Sequence, residues 1–152
     1  MNLPAGDFLV GYVGKFKTLG MEKGIKTMIS AIPLLGKEIK IVFVGAEESE
    51  IKEYKNMANR LNALSQCLII NNQPYLKAVK YMNASDLPAL REILNDKNAL
   101  FFKPEDVDDL ARAVKMLKLS QTLCYHLSGQ AFSDVKNYTW GARAKKILNF
   151  LP

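Results

Sequence analysis

The stretch that decides the fold is Phe8-Leu-Val-Gly-Tyr-Val-Gly14-Lys15. Its apolar residues run without alternation, which is the pattern of a strand covered on both faces, and Gly14 ends the run. The loop from Gly14 to Gly24 carries glycines and lysines, after which Ile25, Met28, Ile29, Ile32 and Leu35 recur at helical spacing. Pro33 disturbs the last turn of that helix and Gly36 marks its exit. A second strand follows, Ile39-Lys-Ile-Val-Phe-Val44, β-branched and aromatic, and it too stops at a glycine, Gly45. Strand, helix and strand in this order predict a parallel pair with a glycine turn at the carboxyl end of each strand.

Outward from this unit the alternation continues. Ser49 reads as the cap of a helix whose apolar face is Ile51, Tyr54, Ala58 and Leu61. Cys67-Leu-Ile-Ile70 reads as a short buried strand, Asn71 to Pro74 as a turn, and Tyr75 to Met82 as a short helix. Asp86-Leu-Pro88 reads as a helix start with Ile93 and Leu94 facing inward, and Ala99-Leu-Phe-Phe102 as a strand. Pro104-Glu-Asp106 precedes an amphipathic helix with Val107, Leu110, Ala111, Val114 and Leu117 on one face. Helices over about 119–131 and 139–151 close the chain. The expected class is α/β, a doubly wound, Rossmann-like parallel sheet with helices on both faces, in one domain over 1–152. One seam breaks the alternation: the helix over 75–82 runs through Asn83-Ala-Ser-Asp86 into another helix start, leaving four strands and a truncated sheet.

Composition narrows the function. The chain has 152 residues, 49% hydrophobic and 24% charged, and a net charge of +6, which excludes disordered and low-complexity classes. No apolar run approaches the roughly 20 residues of a membrane span. The start, Met1 to Asp7, lacks the layout of a signal peptide, so a cytoplasmic location is expected. Two cysteines and one histidine supply neither a disulfide framework nor a structural zinc site, and one histidine leaves little for a His-based metal centre. Cys67 reads as a small buried hydrophobe and His126 as a surface or partly packed histidine. The acidic residues Glu47, Glu48, Glu50 and Glu105, Asp106, Asp108, Asp109 fall at helix starts, where they complement the dipole. Lys136, Arg143, Lys145 and Lys146 make the end of the chain basic. Without interleaved aromatics a solvated face explains them better than nucleic acid, and contact with an anionic membrane is left open.

The loops after the first two strands carry the candidate chemistry. In a doubly wound sheet, ligands sit beyond the carboxyl ends of the strands. Gly14 and Gly45 let backbone approach an anion, Lys15 and Lys23 add positive charge, and helix-start N–H groups are expected to point at a bound diphosphate. Read locally, the same residues are also ordinary surface lysines and strand-ending glycines. Neither loop is a Walker A sequence or a G-x-G-x-x-G fingerprint.

Taken together, Val10-Gly-Tyr-Val-Gly-Lys15, Glu22-Lys-Gly-Ile25, Val42-Phe-Val-Gly45, Ala84-Ser-Asp-Leu-Pro-Ala-Leu-Arg-Glu-Ile-Leu94, Asn98-Ala-Leu-Phe-Phe102 and Tyr138-Thr-Trp140 resemble the C-terminal, nucleotide-sugar-binding domain of GT-B glycosyltransferases of the group 1 (family 4) type. The order of the pieces matches over nearly the whole chain. The resemblance implies transfer of a sugar from a nucleotide diphosphate sugar, of UDP or GDP type, to an acceptor, without cofactor or metal. It matches Lys15 and Lys23 to the cations that neutralise the diphosphate, Gly14 and Gly45 to the close-approach turns, and Asn72 and Tyr75 to the loop flanking the base.

The resemblance also accounts for the seam. On the order of 35–40 residues of the family's pattern, about two strand–helix units, are missing at the Asp86–Leu87 junction. The family's acidic E-x7-E pair falls in that stretch, so no catalytic residue is carried over. The N-terminal acceptor domain is missing as well, and weak or no activity of this chain alone is expected. The alternative reading is a noncatalytic α/β interaction module that associates with itself or a partner through the sheet edge the missing units leave open.

Overall fold

The computed structural model describes residues 6–71, 83–85, 88–139, 141, 142, 148 and 149. The unit around Phe8 is built as the pattern predicts. Strand β1 (Phe8–Val13) leads through a loop to helix α1 (Ile25–Ala31) and a 3-10 turn containing Pro33, then strand β4 (Ile39–Ala46). Within the loop, strands β2 (Lys17–Thr18) and β3 (Met21–Glu22) form a small antiparallel hairpin. Helix α2 (Glu48–Arg60) and strand β5 (Cys67–Asn71) complete the first half. The second half holds strand β6 (Asn83–Ser85), the single turn α3 (Pro88–Arg91), strand β7 (Leu100–Phe102), and helices α4 (Val107–Leu119) and α5 (Gln121–Asp134).

Among the described residues the main sheet is parallel, flanked by helices, and contains three strands in the order β1-β4-β5. β4 lies in the middle with Ile39, Ile41, Val42, Phe43, Val44 and Ala46 all buried, as a central strand covered on both faces must be. Every residue of β1 except the exposed Val13 is half-buried, because β1 is an outer strand among the described residues. The truncated sheet expected from the seam is therefore present. The seam itself differs from the sequence reading: Asn83-Ala-Ser85 is a strand, parallel to Leu100–Phe102 in a separate two-stranded sheet. Asp86 and Leu87, the reading of 75–82 as a helix, and Asn72, Tyr75, Trp140, Arg143, Lys145 and Lys146 lie outside the described residues.

Two local readings change for physical reasons. Ser49 is inside α2 and Glu47 is its N-cap: the Glu47 N–H donates to the Glu50 carboxylate at 2.9 Å, closing a capping box two residues before the serine. Ile93 is 49% exposed, since α3 ends at Arg91 and only Leu90 and Leu94 turn toward Ala99 and Phe101. The last two helices start on side-chain caps, Asp106 accepting from the Asp109 N–H and Ser120 from the Leu123 N–H.

The core beneath the sheet joins Ile25, Ile29 and Ile32 around α1, Tyr54 and Ala58 of α2, and Leu110, Ala111 and Val114 of α4. At its centre the Phe16 ring meets Tyr12, Phe43 and Tyr54 with centroids 5.8, 6.0 and 5.4 Å away, all edge-on. Such pairs add about 0.5–1.5 kcal/mol each beyond area burial. The Tyr54 hydroxyl is buried in this cluster without a hydrogen-bond partner. Burial, reinforced by the charges of Glu22, Glu53 and Glu50, pushes it up to about 12, so it remains a neutral phenol. Replacing Tyr54 with Phe removes an orphaned polar atom and leaves the ring contacts. Stability in urea is expected to stay level or rise by roughly 1 kcal/mol, and a loss above that would reveal an unseen partner.

Candidate functional site

The carboxyl ends of β1 and β4 bring the two glycine turns into contact. The Gly14 N–H donates to the Val44 carbonyl at 2.9 Å, extending the β1–β4 ladder by one residue. Gly45 sits at φ 112°, where the register with β5 shifts between Val44 and Ala46. A Cβ on Gly45 would stand 2.3 Å from the Gly14 carbonyl oxygen, so the side-chain-free backbone is what lets the two turns touch.

Phe16 then directs the lysines. Its side chain is wholly buried while its neighbour Lys15 is exposed, so the core anchors the loop and leaves the Lys15 ammonium in solvent. The Phe16 carbonyl accepts from the Lys23 N–H at 3.0 Å, which holds the backbone of Lys23 beside that of Lys15. The β2–β3 hairpin makes this return feasible: Leu19 and Gly20, at φ 51° and 76°, form its two-residue turn. Among the described residues neither Lys15 nor Lys23 has an ion-pair partner, whereas Lys17 pairs with Glu53 at 3.0 Å and Lys118 with Glu38. The structure thus brings together Gly14, Lys15, Lys23 and Gly45, four of the six residues singled out from sequence.

The helix starts behave differently from the expectation. The Glu22 carboxylate accepts from the N–H groups of Gly24 and Lys26, each at 3.1 Å, and from that of Ile25. At the start of α2, Glu50 takes the Glu47 N–H. At the start of α1 the amides expected to face a diphosphate are therefore engaged by the protein's own carboxylate, whereas at α2 Glu50 takes only the N–H of the cap residue. Lys15 and Lys23 are both exposed, on a loop that leaves the paired glycine turns.

Tyr12 is a site residue that the sequence reading missed. Its hydroxyl donates to the Lys15 carbonyl at 2.8 Å, bracing the turn from the core side. Burial raises its pKa, and the charges of Glu22 and Glu50 raise it further, so the hydroxyl keeps its proton and its role as donor. The tyrosine sits two residues before Gly14 on the same face of β1 as the turn, a spacing that was visible in sequence but has no motif attached to it. For Tyr12→Phe, the expected outcome is an unfolding midpoint close to the parent's and a several-fold weaker response to nucleotide, from loss of about 1 kcal/mol of turn-holding hydrogen bond. Equal binding by both proteins would show that the Lys15 turn holds itself.

Other candidates stay outside this cluster. His126 is exposed on α5, and Cys67 is buried, its thiol pushed up to about 12 by that burial. No group of three metal-ligating side chains occurs among the described residues, and no helix there is long and apolar enough to cross a membrane. A shallow depression of about 330 Å³ at the end of β7 is lined by Phe101, Phe102, Lys103, Pro104 and Asp109. Arg112 beside Asp109 and the Lys103 N–H hold that carboxyl below its usual range, so its charge is already matched within the protein.

Known structures share this fold. Sucrose-phosphate synthase from Thermosynechococcus elongatus superposes with a TM-score of 0.79 at 17% identity, covering 97% of this chain and 45% of that one. Anabaena Alr3699/HepE in complex with UDP and glucose gives 0.78 at 14% identity, covering 97% and 49%. The C-terminal domain of the group 1 glycosyl transferase family protein LpcC from Francisella tularensis gives 0.69 at 16% identity, covering 87% of this chain and 86% of that domain. At such identities the likeness is one of fold, the GT-B fold, and the chain spans just under half of the first two proteins. Comparison with curated proteins finds no match. The sequence profile described as "Glycosyl transferases group 1" matches residues 2–92, more than half of the chain. The chain belongs to the group 1 glycosyl transferases.

Proposed function

We propose that this chain is the donor-binding domain of a glycosyltransferase and holds the diphosphate of a nucleotide diphosphate sugar at Lys15 and Lys23, over the paired turns of Gly14 and Gly45. The observation that carries the reading is the meeting of two unpaired lysines, tied through the Phe16 carbonyl, with two glycine turns at the carboxyl ends of neighbouring parallel strands. That UDP is bound in the HepE structure of the same fold supports a uridine donor as the first to test.

In such a transfer the bond between the sugar carbon and the diphosphate oxygen breaks, its electron pair goes to the diphosphate, and the acceptor oxygen bonds to that carbon. Positive charge fixed beside the departing diphosphate lowers the barrier as negative charge develops. Lys15 and Lys23 supply that charge, with Tyr12 and Phe16 holding their backbone. The acceptor's proton must leave to a group outside the set described above. By resemblance the family's acidic pair falls in the stretch missing at the Asp86–Leu87 junction, and these residues span just under half of the proteins they superpose on, so on their own they are expected to bind donor and to transfer slowly or not at all. Cofactor and metal are not part of this scheme.

The test is a thermal shift with UDP, GDP and ADP and their glucose conjugates. Ligand at about a hundred times its dissociation constant stabilises the folded state by about 2.7 kcal/mol, which is several degrees for a domain of this size. One nucleotide family raising the midpoint identifies the donor. No shift with any of them overturns the reading in favour of the noncatalytic interaction module.

A further inference from the structure

Helix α1 begins on a residue that cannot cap it. Gly24 is its N-cap, in the left-handed region at φ 80°, and has no side chain to accept the amides of the first turn. The acceptor comes from two residues upstream. The Glu22 carboxylate takes the Gly24 N–H on one oxygen and the Ile25 and Lys26 N–H groups on the other. Ile25 and Ile29 of α1 are wholly buried, so this carboxylate ties the end of the β2–β3 hairpin to an element fixed in the core.

Lys23 is the residue in between. Its own N–H is held by the Phe16 carbonyl, and the next N–H along the chain, that of Gly24, is held by Glu22. The peptide groups on both sides of the Lys23 Cα are thus fastened, which sets the direction in which its side chain leaves the backbone. Lys17 is the register partner of Glu22 in the hairpin and Lys23 follows it, yet among the described residues Glu22 enters no ion pair. Three N–H donors take up most of the carboxylate's acceptor capacity, and Lys23 is left for a ligand. The same group bears on the other turn. After burial, the Glu22 charge is the next cause that keeps the Tyr12 hydroxyl protonated, and that hydroxyl braces the Lys15 carbonyl.

We propose that Glu22 is a positioning residue for Lys23, acting through the geometry of the Lys23–Gly24 peptide and not through its own charge. This rests on the reading of Lys23 as a ligand of the diphosphate. A negative charge near a bound diphosphate opposes it, so the reach and the charge of this one side chain pull in opposite directions.

Two variants of the whole chain separate them. Glu22→Gln keeps the length, and the oxygen that accepts from Ile25 and Lys26, without the charge. Glu22→Asp keeps the charge and is one methylene too short to hold all three donors. Calorimetry well below each melting temperature uses UDP, or GDP or ADP where that is the nucleotide the parent binds. Glu22→Asp should bind at least about threefold more weakly than the parent, and Glu22→Gln within about twofold of it. Exchange of the Lys23 amide, followed by NMR, should quicken at least about fivefold in Glu22→Asp and not in Glu22→Gln, with the Gly14 amide of the β1–β4 ladder unchanged in both. Three results overturn the proposal: Glu22→Asp binding as the parent does, whatever its melting temperature; Glu22→Gln departing from the parent's affinity further than Glu22→Asp, in either direction; or equal Lys23 exchange in all three proteins. No response of the parent to any of the three nucleotides is the failure of the donor reading, and the exchange of the Lys23 amide then decides the positioning by itself.

Discussion

Gly45→Ala is expected to be among the most damaging single substitutions in the domain. An L-residue held at φ 112° costs roughly 1–3 kcal/mol in backbone strain. The added Cβ would also meet the Gly14 carbonyl oxygen at 2.3 Å and the Gly14 carbonyl carbon at 2.8 Å, both of them backbone atoms with no rotamer to change. Relief requires pulling Gly14 away from Val44, which breaks the 2.9 Å hydrogen bond at the end of the β1–β4 ladder. Overpacking of this kind adds about 1–3 kcal/mol. The sum, roughly 2–6 kcal/mol, is a large part of the 5–15 kcal/mol that holds a typical domain together. Urea unfolding should show a sharply lowered midpoint. Gly129→Ala is the control, because that glycine is inside a helix with open space around it, and there alanine is expected to stabilise by about 0.5–1 kcal/mol. If Gly45→Ala falls within about 1 kcal/mol of the parent, the two turns do not touch as described.

The parts of the fold legible in sequence are those whose stability is local or strongly apolar. β1, β4 and β5 are continuous runs of Val, Ile, Leu and aromatics, and they lie where the pattern puts them. α4 announces itself by Pro104-Glu-Asp106 at its start and by an apolar face. Elements made by their partners were not legible. Asn83-Ala-Ser85 has no strand propensity worth naming and is a strand because Leu100–Phe102 lies beside it. The β2–β3 hairpin has two residues per strand, too few for alternation, and its turn, Leu19-Gly20, lacks the usual Asn or Asp.

The candidate site divides in the same way. Gly14, Lys15, Lys23 and Gly45 were singled out by their place after the first two strands of a doubly wound sheet and by the family resemblance, since glycines and lysines in loops are common on their own. The capture of the helix amides by Glu22 and Glu50 was not legible, because a carboxylate near a helix start reads the same in sequence whether it faces solvent or the backbone. With the α1 amides engaged, the proposed binding of a diphosphate is expected to lean on the lysine ammonium groups and to respond to salt accordingly.

The double substitution Lys15→Ala, Lys23→Ala is therefore expected to abolish most nucleotide affinity. A charge-assisted hydrogen bond to phosphate contributes about 1.5 kcal/mol or more, close to a tenfold change in affinity for each lysine, and about a hundredfold for the pair. Neither side chain contributes to the core, so the unfolding midpoint without ligand should stay near that of the parent. Lys17→Ala is the matching control. It removes the same charge from the same loop, but Lys17 is already paired with Glu53, so calorimetry with UDP should read within about twofold of the parent. Were Lys17→Ala to weaken UDP as much as Lys15→Ala or Lys23→Ala, the attraction would be the diffuse field of a +6 molecule and not a site. Were the double variant to bind UDP as the parent does, the diphosphate is held elsewhere, and the lysines at the glycine turns are surface charge alone.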